Sequence, residues 1–177
     1  MEITRIGLDT AKSVFQVHGV DRAGRAVLRK KLRRDQLLAF FATLPATLIG
    51  MEACGAAHYW ARKLQALGHT VKLIPPQYVK PYVKTNKNDA ADAEAICEAV
   101  GRPNMRFAAI NTQQQQSTAM LHNARSGYMK RRTALSNEVR GELAEFGVVL
   151  PKGLDKLMRR LPEVIDEPGN ELPAAVR

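Results

Sequence analysis

Four acidic residues, Asp9, Glu52, Asp89 and Asp92, occupy places from which they could build a metal site. Asp9 ends an apolar alternation of Ile3, Ile6 and Leu8, and Glu52 ends the apolar run Thr47 to Met51. If those segments are adjacent parallel strands, the two carboxylates reach one carboxyl edge about 5 Å apart at the backbone, where open α/β sheets place their ligands. Two anions that close repel unless a cation lies between them. Asp89 and Asp92, three residues apart at a helix start, share one helical face. Four hard oxygen donors favour Mg²⁺ or Mn²⁺, and such a set can hold two ions about 4 Å apart that grip the attacking and leaving oxygens of a phosphodiester. The implied chemistry is phosphoryl transfer. Taken singly, each acid has a plainer role, as a turn former after a strand or as a complement to a helix dipole.

The elements that must position these acids are legible. Val14 to Val20 follows the first alternation after a turn at Thr10 to Ser13, and the tight-turn signal Asp21-Arg22-Ala23-Gly24 leads into Arg25 to Arg33. Together they predict a three-stranded antiparallel meander. Asp35 is placed to cap a short helix through Gln36 to Thr43, closed by Pro45. The run at Thr47 to Met51 reads as a strand buried on both faces. Tyr59, Trp60, Leu64 and Leu67 recur at helical spacing before Gly68, with Tyr59 and Trp60 expected to pack the helix onto the sheet. Thr70 to Ile74 is a further strand, stopped by Pro75 and Pro76. Gln77 to Lys87 reads as a basic loop, after which Asn88 caps a helix from Asp89 to Val100. Three meander strands, a helix and two further strands are the order of an RNase H-like mixed five-stranded α/β sheet with flanking helices.

Beyond it, residues 112–146 contain no proline, and Leu121, Ala124, Tyr128, Leu135, Val139, Leu143 and Phe146 recur at three, four or seven, which predicts one long helix able to pair with a second copy. Residues 150–177, with Pro151, Pro162, Pro168 and Pro173, predict short helices or disorder. The expected division is a catalytic domain at 1–108, the helix within 109–149, and a tail at 150–177.

The 177 residues carry 27 Lys and Arg against 17 Asp and Glu, a formal charge of +10. That excess points to a polyanionic partner, nucleic acid before an acidic membrane surface. No apolar run approaches the ~20 residues of a membrane span, and a cytoplasmic protein is expected. Cys54 and Cys97 lack metal-ligand spacing and are expected to be reduced and buried. His18, His58, His69 and His122 are scattered and read as structural or surface residues. The candidates for nucleic-acid contact are Lys12, three residues after Asp9; Lys80, Lys84 and Lys87 before the paired aspartates; Arg29, Lys30 and Lys31 in an acid-free basic strand; and Arg125, Lys130, Arg131 and Arg132 on the long helix. Tyr78 and Tyr82 could stack on bases or fill a gap beneath the loop.

The segments IGLDTAKSVFQVHGVD, MEACGAAHYWARKLQALGHTVKLIPPQYVKPYVK and NKNDAADAEAICEA resemble the amino-terminal domain of DEDD insertion-sequence transposases, a family related to the pilin-gene invertases and bridge-RNA-guided recombinases. The resemblance covers residues 3–100 and implies a RuvC-like fold in which Asp9, Glu52, Asp89 and Asp92 bind the metal. It further implies DNA as substrate, a structured guide RNA as partner, and a second domain supplying a nucleophilic serine for strand exchange. Ser13, Ser117, Ser126 and Ser136 do not resemble that serine motif, so a truncated or partial recombinase is expected. A stand-alone junction-resolving nuclease, a non-catalytic nucleic-acid-binding module, and an actin-like or sugar-kinase-like ATPase half suggested by Asp9-Thr10-Ala11-Lys12 are the alternatives. The scarcity of glycine near Asp9 and the high positive charge weigh against the ATPase.

Overall fold

The apolar alternations build five strands, β1 (Arg5–Thr10), β2 (Val14–Val20), β3 (Ala26–Arg33), β4 (Leu48–Glu52) and β5 (Thr70–Ile74). The computed structural model describes residues 2–84 and 89–176, and of Asp89 the backbone alone. The strands form one sheet in the order β3-β2-β1-β4-β5. The first three pair antiparallel, while β4 lies parallel to both β1 and β5. This is the RNase H-like arrangement expected from the order of elements. The Asp21 turn works as its sequence requires: Asp21 Oδ1 accepts the Ala23 and Arg25 backbone N–H at 2.9 Å, and Gly24 takes the positive φ of 78°.

The two faces of the sheet are covered differently. Ile6, Leu8, Phe15, Val17, Leu32, Ile49, Met51, Val71 and Leu73 point to one face, where helices α1 (Leu37–Ala42) and α2 (Ala57–Ala66) seal them with Leu37, Phe41, Trp60 and Leu64. His69 fastens this layer from within: its Nδ1 accepts the Thr47 N–H at 3.2 Å and its Nε2 lies 3.0 Å from the Phe41 carbonyl. The opposite face carries Gly7 and Gly50, and on it lies α4 (Asp89–Val100), reached after the one-turn helix α3 (Pro76–Val79). Close approach is why these two positions are glycine. A Cβ on Gly7 would lie 2.1 Å from the Ala93 carbonyl oxygen, and one on Gly50 would lie 2.7 Å from the Val100 Cβ.

Several expectations are corrected. Asp35 caps nothing; it lies within a 3₁₀ turn, Arg34–Gln36, and pairs with Arg33 at 3.2 Å, while the Gln36 side chain accepts the Arg33 N–H. The segment after Ile74 is not loop throughout: Pro76 opens α3, Lys80–Tyr82 forms a 3₁₀ turn, and Val79 is buried with Ile74 and Ile96. Proline at the first helical position is preorganised for that turn. Tyr78 and Tyr82 pack against the same cluster, in agreement with the gap-filling reading. The proposed cap Asn88 lies outside the described residues. Trp60 is buried, whereas Tyr59 is exposed with the Lys63 ammonium 5.8 Å above its ring. Cys97 is buried as expected and its thiol is pushed up to about 11 by desolvation, but Cys54 is exposed in the turn after β4.

The chain divides into two compact units, residues 1–113 and 114–177. The second contains nearly all of α5 (Gln113–Ala144) and all of α6 (Leu154–Asp166). Leu143, Leu150, Leu157, Val164 and Leu172 form its core, and Arg140 ties the connection by donating to the Pro151 and Gly153 carbonyls. Helix α6 continues through Pro162, so residues 154–166 are neither disordered nor broken there. Val164 and Leu157 hold both flanks of the proline in the core.

Candidate metal and nucleic-acid site

Strand register places the first two acids. β1 and β4 run in parallel register from Arg5↔Leu48 to Leu8↔Met51, and the next residue on each strand is Asp9 and Glu52. Leu8 and Met51 are fully buried under α1 and α2. Strand alternation therefore puts Asp9 and Glu52 on the glycine face, the face of α4. Both are part-buried at the carboxyl edge.

Helix α4 runs against β1. Its carboxyl end meets the start of the strand, where Arg5 Nε donates to the Cys97 carbonyl at 3.2 Å and Gly101 abuts the Arg5 guanidinium. Ala93 and Cys97 lie over Gly7. That direction aims the first turn of α4, with Asp89 and Asp92, toward the Asp9 end of the sheet. Among the described residues, however, no three His, Cys, Asp or Glu side chains are grouped closely enough to hold a metal ion, so Asp9, Glu52 and Asp92 do not by themselves form a closed cluster. The Asp89 side chain lies outside the described residues. The donor set nonetheless has the chemistry of a hard-cation site, carboxylate oxygens from two strand ends and one helix start.

The basic candidates fall into separate groups. Lys12 is exposed in the turn after β1, and its carbonyl accepts from the Arg34 guanidinium at 3.3 Å. Lys80 is exposed at the start of the 3₁₀ turn, Lys84 donates to Glu94 at 3.2 Å, and Lys87 lies outside the described residues. On β3, Arg29 and Lys31 pair with His18 and Gln16 and so share the α4 face. Lys30 alternates to the other side, its ammonium 4.7 Å over the Phe40 ring. Arg125, Lys130, Arg131 and Arg132 are exposed on α5 in the second unit, with the Arg131 guanidinium 4.8 Å over Tyr128.

One feature escaped the sequence reading. A cleft of about 430 Å³ lies between the β2–β3 face and the flank of α4, with Gln16, His18, Arg29, Lys30, Lys31 and Glu94 among the residues that line it. Burial lowers the His18 pKa below its ordinary value; Glu94 opposes that shift, and Arg29 and Lys84 add to it. The signal available was the alternation Gln16, His18 facing Arg29, Lys31, once the hairpin register was known.

Residues 6–147 match the transposase family of DEDD IS110 type. The chain belongs to that family. It is 54% identical over 175 residues to a probable family 20 transposase of Pseudomonas aeruginosa, covering 98% of this chain and 52% of that protein. The transposase for insertion sequence element IS1328 of Yersinia enterocolitica is 44% identical over 171 residues, covering 97% of this chain and 50% of that protein. The transposase for element IS1111A of Coxiella burnetii is 42% identical over 164 residues, covering 93% and 45%. The chain thus spans about half the length of these relatives. A solved T. thermophilus RuvC, in complex with a Holliday junction substrate, aligns with 54% of this chain and 90% of its own at a TM-score of 0.40 and 12% identity. For this transposase-family chain, no described helix is long and apolar enough to cross a membrane.

Proposed function

We propose that this chain is the metal-dependent catalytic half of a DNA transposase, in which Asp9, Glu52, Asp89 and Asp92 bind Mg²⁺ or Mn²⁺. The observation that carries the reading is the β1–β4 register, which ends on Asp9 and Glu52 side by side, on the face and at the edge toward which α4 starts. A bound divalent pair would supply Lewis acidity to a phosphodiester and lower the pKa of an attacking hydroxyl or water. The chain's own part is to hold the donors: sheet register fixes Asp9 against Glu52, and the glycine contacts fix α4 against both. Residues 1–108 are the catalytic domain in this reading. DNA is the substrate, since relatives are named as transposases and the chain carries +10. Strand exchange would require a serine from elsewhere in a longer protein, and a guide RNA rests on the family resemblance alone.

In the same reading, α5 joins two copies. Leu121, Tyr128 and Leu135, seven apart, are 65%, 67% and 60% exposed, a seam with the spacing of a coiled coil. A mass by light scattering that stays monomeric at every concentration would refute the dimer.

The test of the site is Mn²⁺ titration by calorimetry. Asp9→Asn and Glu52→Gln are each expected to abolish binding, and wild-type affinity in both variants would reject the site. Retained metal binding with cleavage of branched DNA by this chain alone would favour the junction-resolving nuclease.

A further inference from the structure

The cleft beside α4 has a shape and charge that the four-carboxylate site does not use. Helix α4 packs on β1, β4 and part of β2, and the cleft opens where its flank meets β2 and the edge strand β3. The floor is Gln16 and His18 from β2 with Arg29 and Lys31 from β3, two strand positions apart and therefore roughly 7 Å apart along the strand. That spacing is on the scale of one nucleotide step in a single strand. Arg29 and Lys31 are exposed and take part in no ion pair among the described residues. The wall is the small side chains Ala90, Ala91 and Ala93 together with Glu94, whose charge is met by Lys84 at 3.2 Å. At one end the floor residue Gln16 is the cross-strand partner of Asp9. A ligand lying in the cleft is thus led directly to the carboxylate edge.

We propose that this cleft seats the phosphodiester backbone of a single DNA strand, with Arg29 and Lys31 each contacting a phosphate and Gln16 directing the strand toward Asp9. The proposal rests on the nucleic-acid reading above and adds to it a specific track. It also divides the basic strand by charge: Lys30 borders the cleft, but its ammonium is turned onto the Phe40 ring, whereas Arg29 and Lys31 alternate to the α4 face. A cleft of about 430 Å³ has room for a backbone segment.

The experiment is fluorescence anisotropy of a labelled single-stranded DNA oligonucleotide, with an RNA of the same sequence in parallel, in EDTA so that metal binding contributes nothing. Arg29→Gln/Lys31→Gln is expected to weaken DNA binding at least tenfold and to flatten the dependence of log affinity on log salt by about 1.4, the share of two phosphate contacts on a single strand. Lys30→Gln is expected to weaken it less than threefold, with circular dichroism melting confirming that each variant folds. If wild type binds DNA and the double variant binds equally well, or if Lys30→Gln costs as much as the double variant, the track is overturned while nucleic-acid binding stands. Loss confined to the RNA overturns the assignment to DNA. No DNA binding by wild type overturns the track as well, and the Mn²⁺ titration then still judges the carboxylate site separately.

Discussion

The two faces of the sheet do opposite things with the same alternating strands. Under α1 and α2 the buried positions are mostly large and apolar, with Phe15 edge-on to Trp60 at 5.2 Å, and stability comes from filled volume. Under α4 the positions include Gly7, Gly50, His18, Gln16, Asp9 and Glu52 beside the apolar Leu48 and Ile74, and the helix comes almost onto the backbone. A sealed face can be built from hydrophobic area alone. A face that must present acids and a basic cleft gives up side-chain volume, and glycine restores contact by bringing the helix down.

The contrast makes deletion damaging on one face and addition damaging on the other. Phe15→Ala is expected to cost about 3–5 kcal/mol in urea denaturation, because it opens a cavity in the sealed layer. Gly7→Ala adds one methyl and is expected to cost about 3 kcal/mol, since the new Cβ meets α4 backbone atoms, the Ala93 carbonyl oxygen and the Cys97 nitrogen, that cannot swing aside. If Gly7→Ala is neutral, the helix is not held against the strand and the placement of Asp92 fails with it. The smallest effect is on pH. Burial lowers the His18 pKa, Glu94 acting against the shift and Arg29 and Lys84 with it, so the unfolded chain takes up a proton first as pH falls through 6.5. Stability is therefore expected to fall on acidification from pH 7.5 to 5.5, and His18→Gln to flatten that fall. An unchanged slope in the variant would place His18 in a solvated setting.

Much of this was readable from residue types. Val14–Val20, Thr70–Ile74 and Asp89–Val100 are bounded by signals strong enough to give their ends, a turn, a double proline and a glycine. The adjacency of the two strands that end at Asp9 and Glu52 followed because a meander followed by a helix and a strand leaves few topologies, and β1 and β4 are neighbours in the sheet. The helical turn at Pro76 was missed because its basic residues were weighed and the capping value of proline was not. The cleft was invisible because it depends on which residues of β3 face those of β2, a register that a hairpin sequence gives only to within a residue, and a slip of one would have exchanged Lys30 for Arg29 and Lys31. Asp92 shows a different limit: helix and face were legible, but its distance from the strand ends is set by how Ala93 and Cys97 seat on Gly7, a tertiary contact that no local signal gives.

The most direct test of the central claim is a crystal of this protein soaked in Mn²⁺, with the anomalous signal locating the ion. The account expects a peak at the carboxyl edge, within about 2.3 Å of an oxygen of Asp9 and of Glu52, with Asp92 or Asp89 completing the ligands. Manganese absent from that edge at saturating concentration, with the Asp9 and Glu52 carboxylates turned apart, would contradict it.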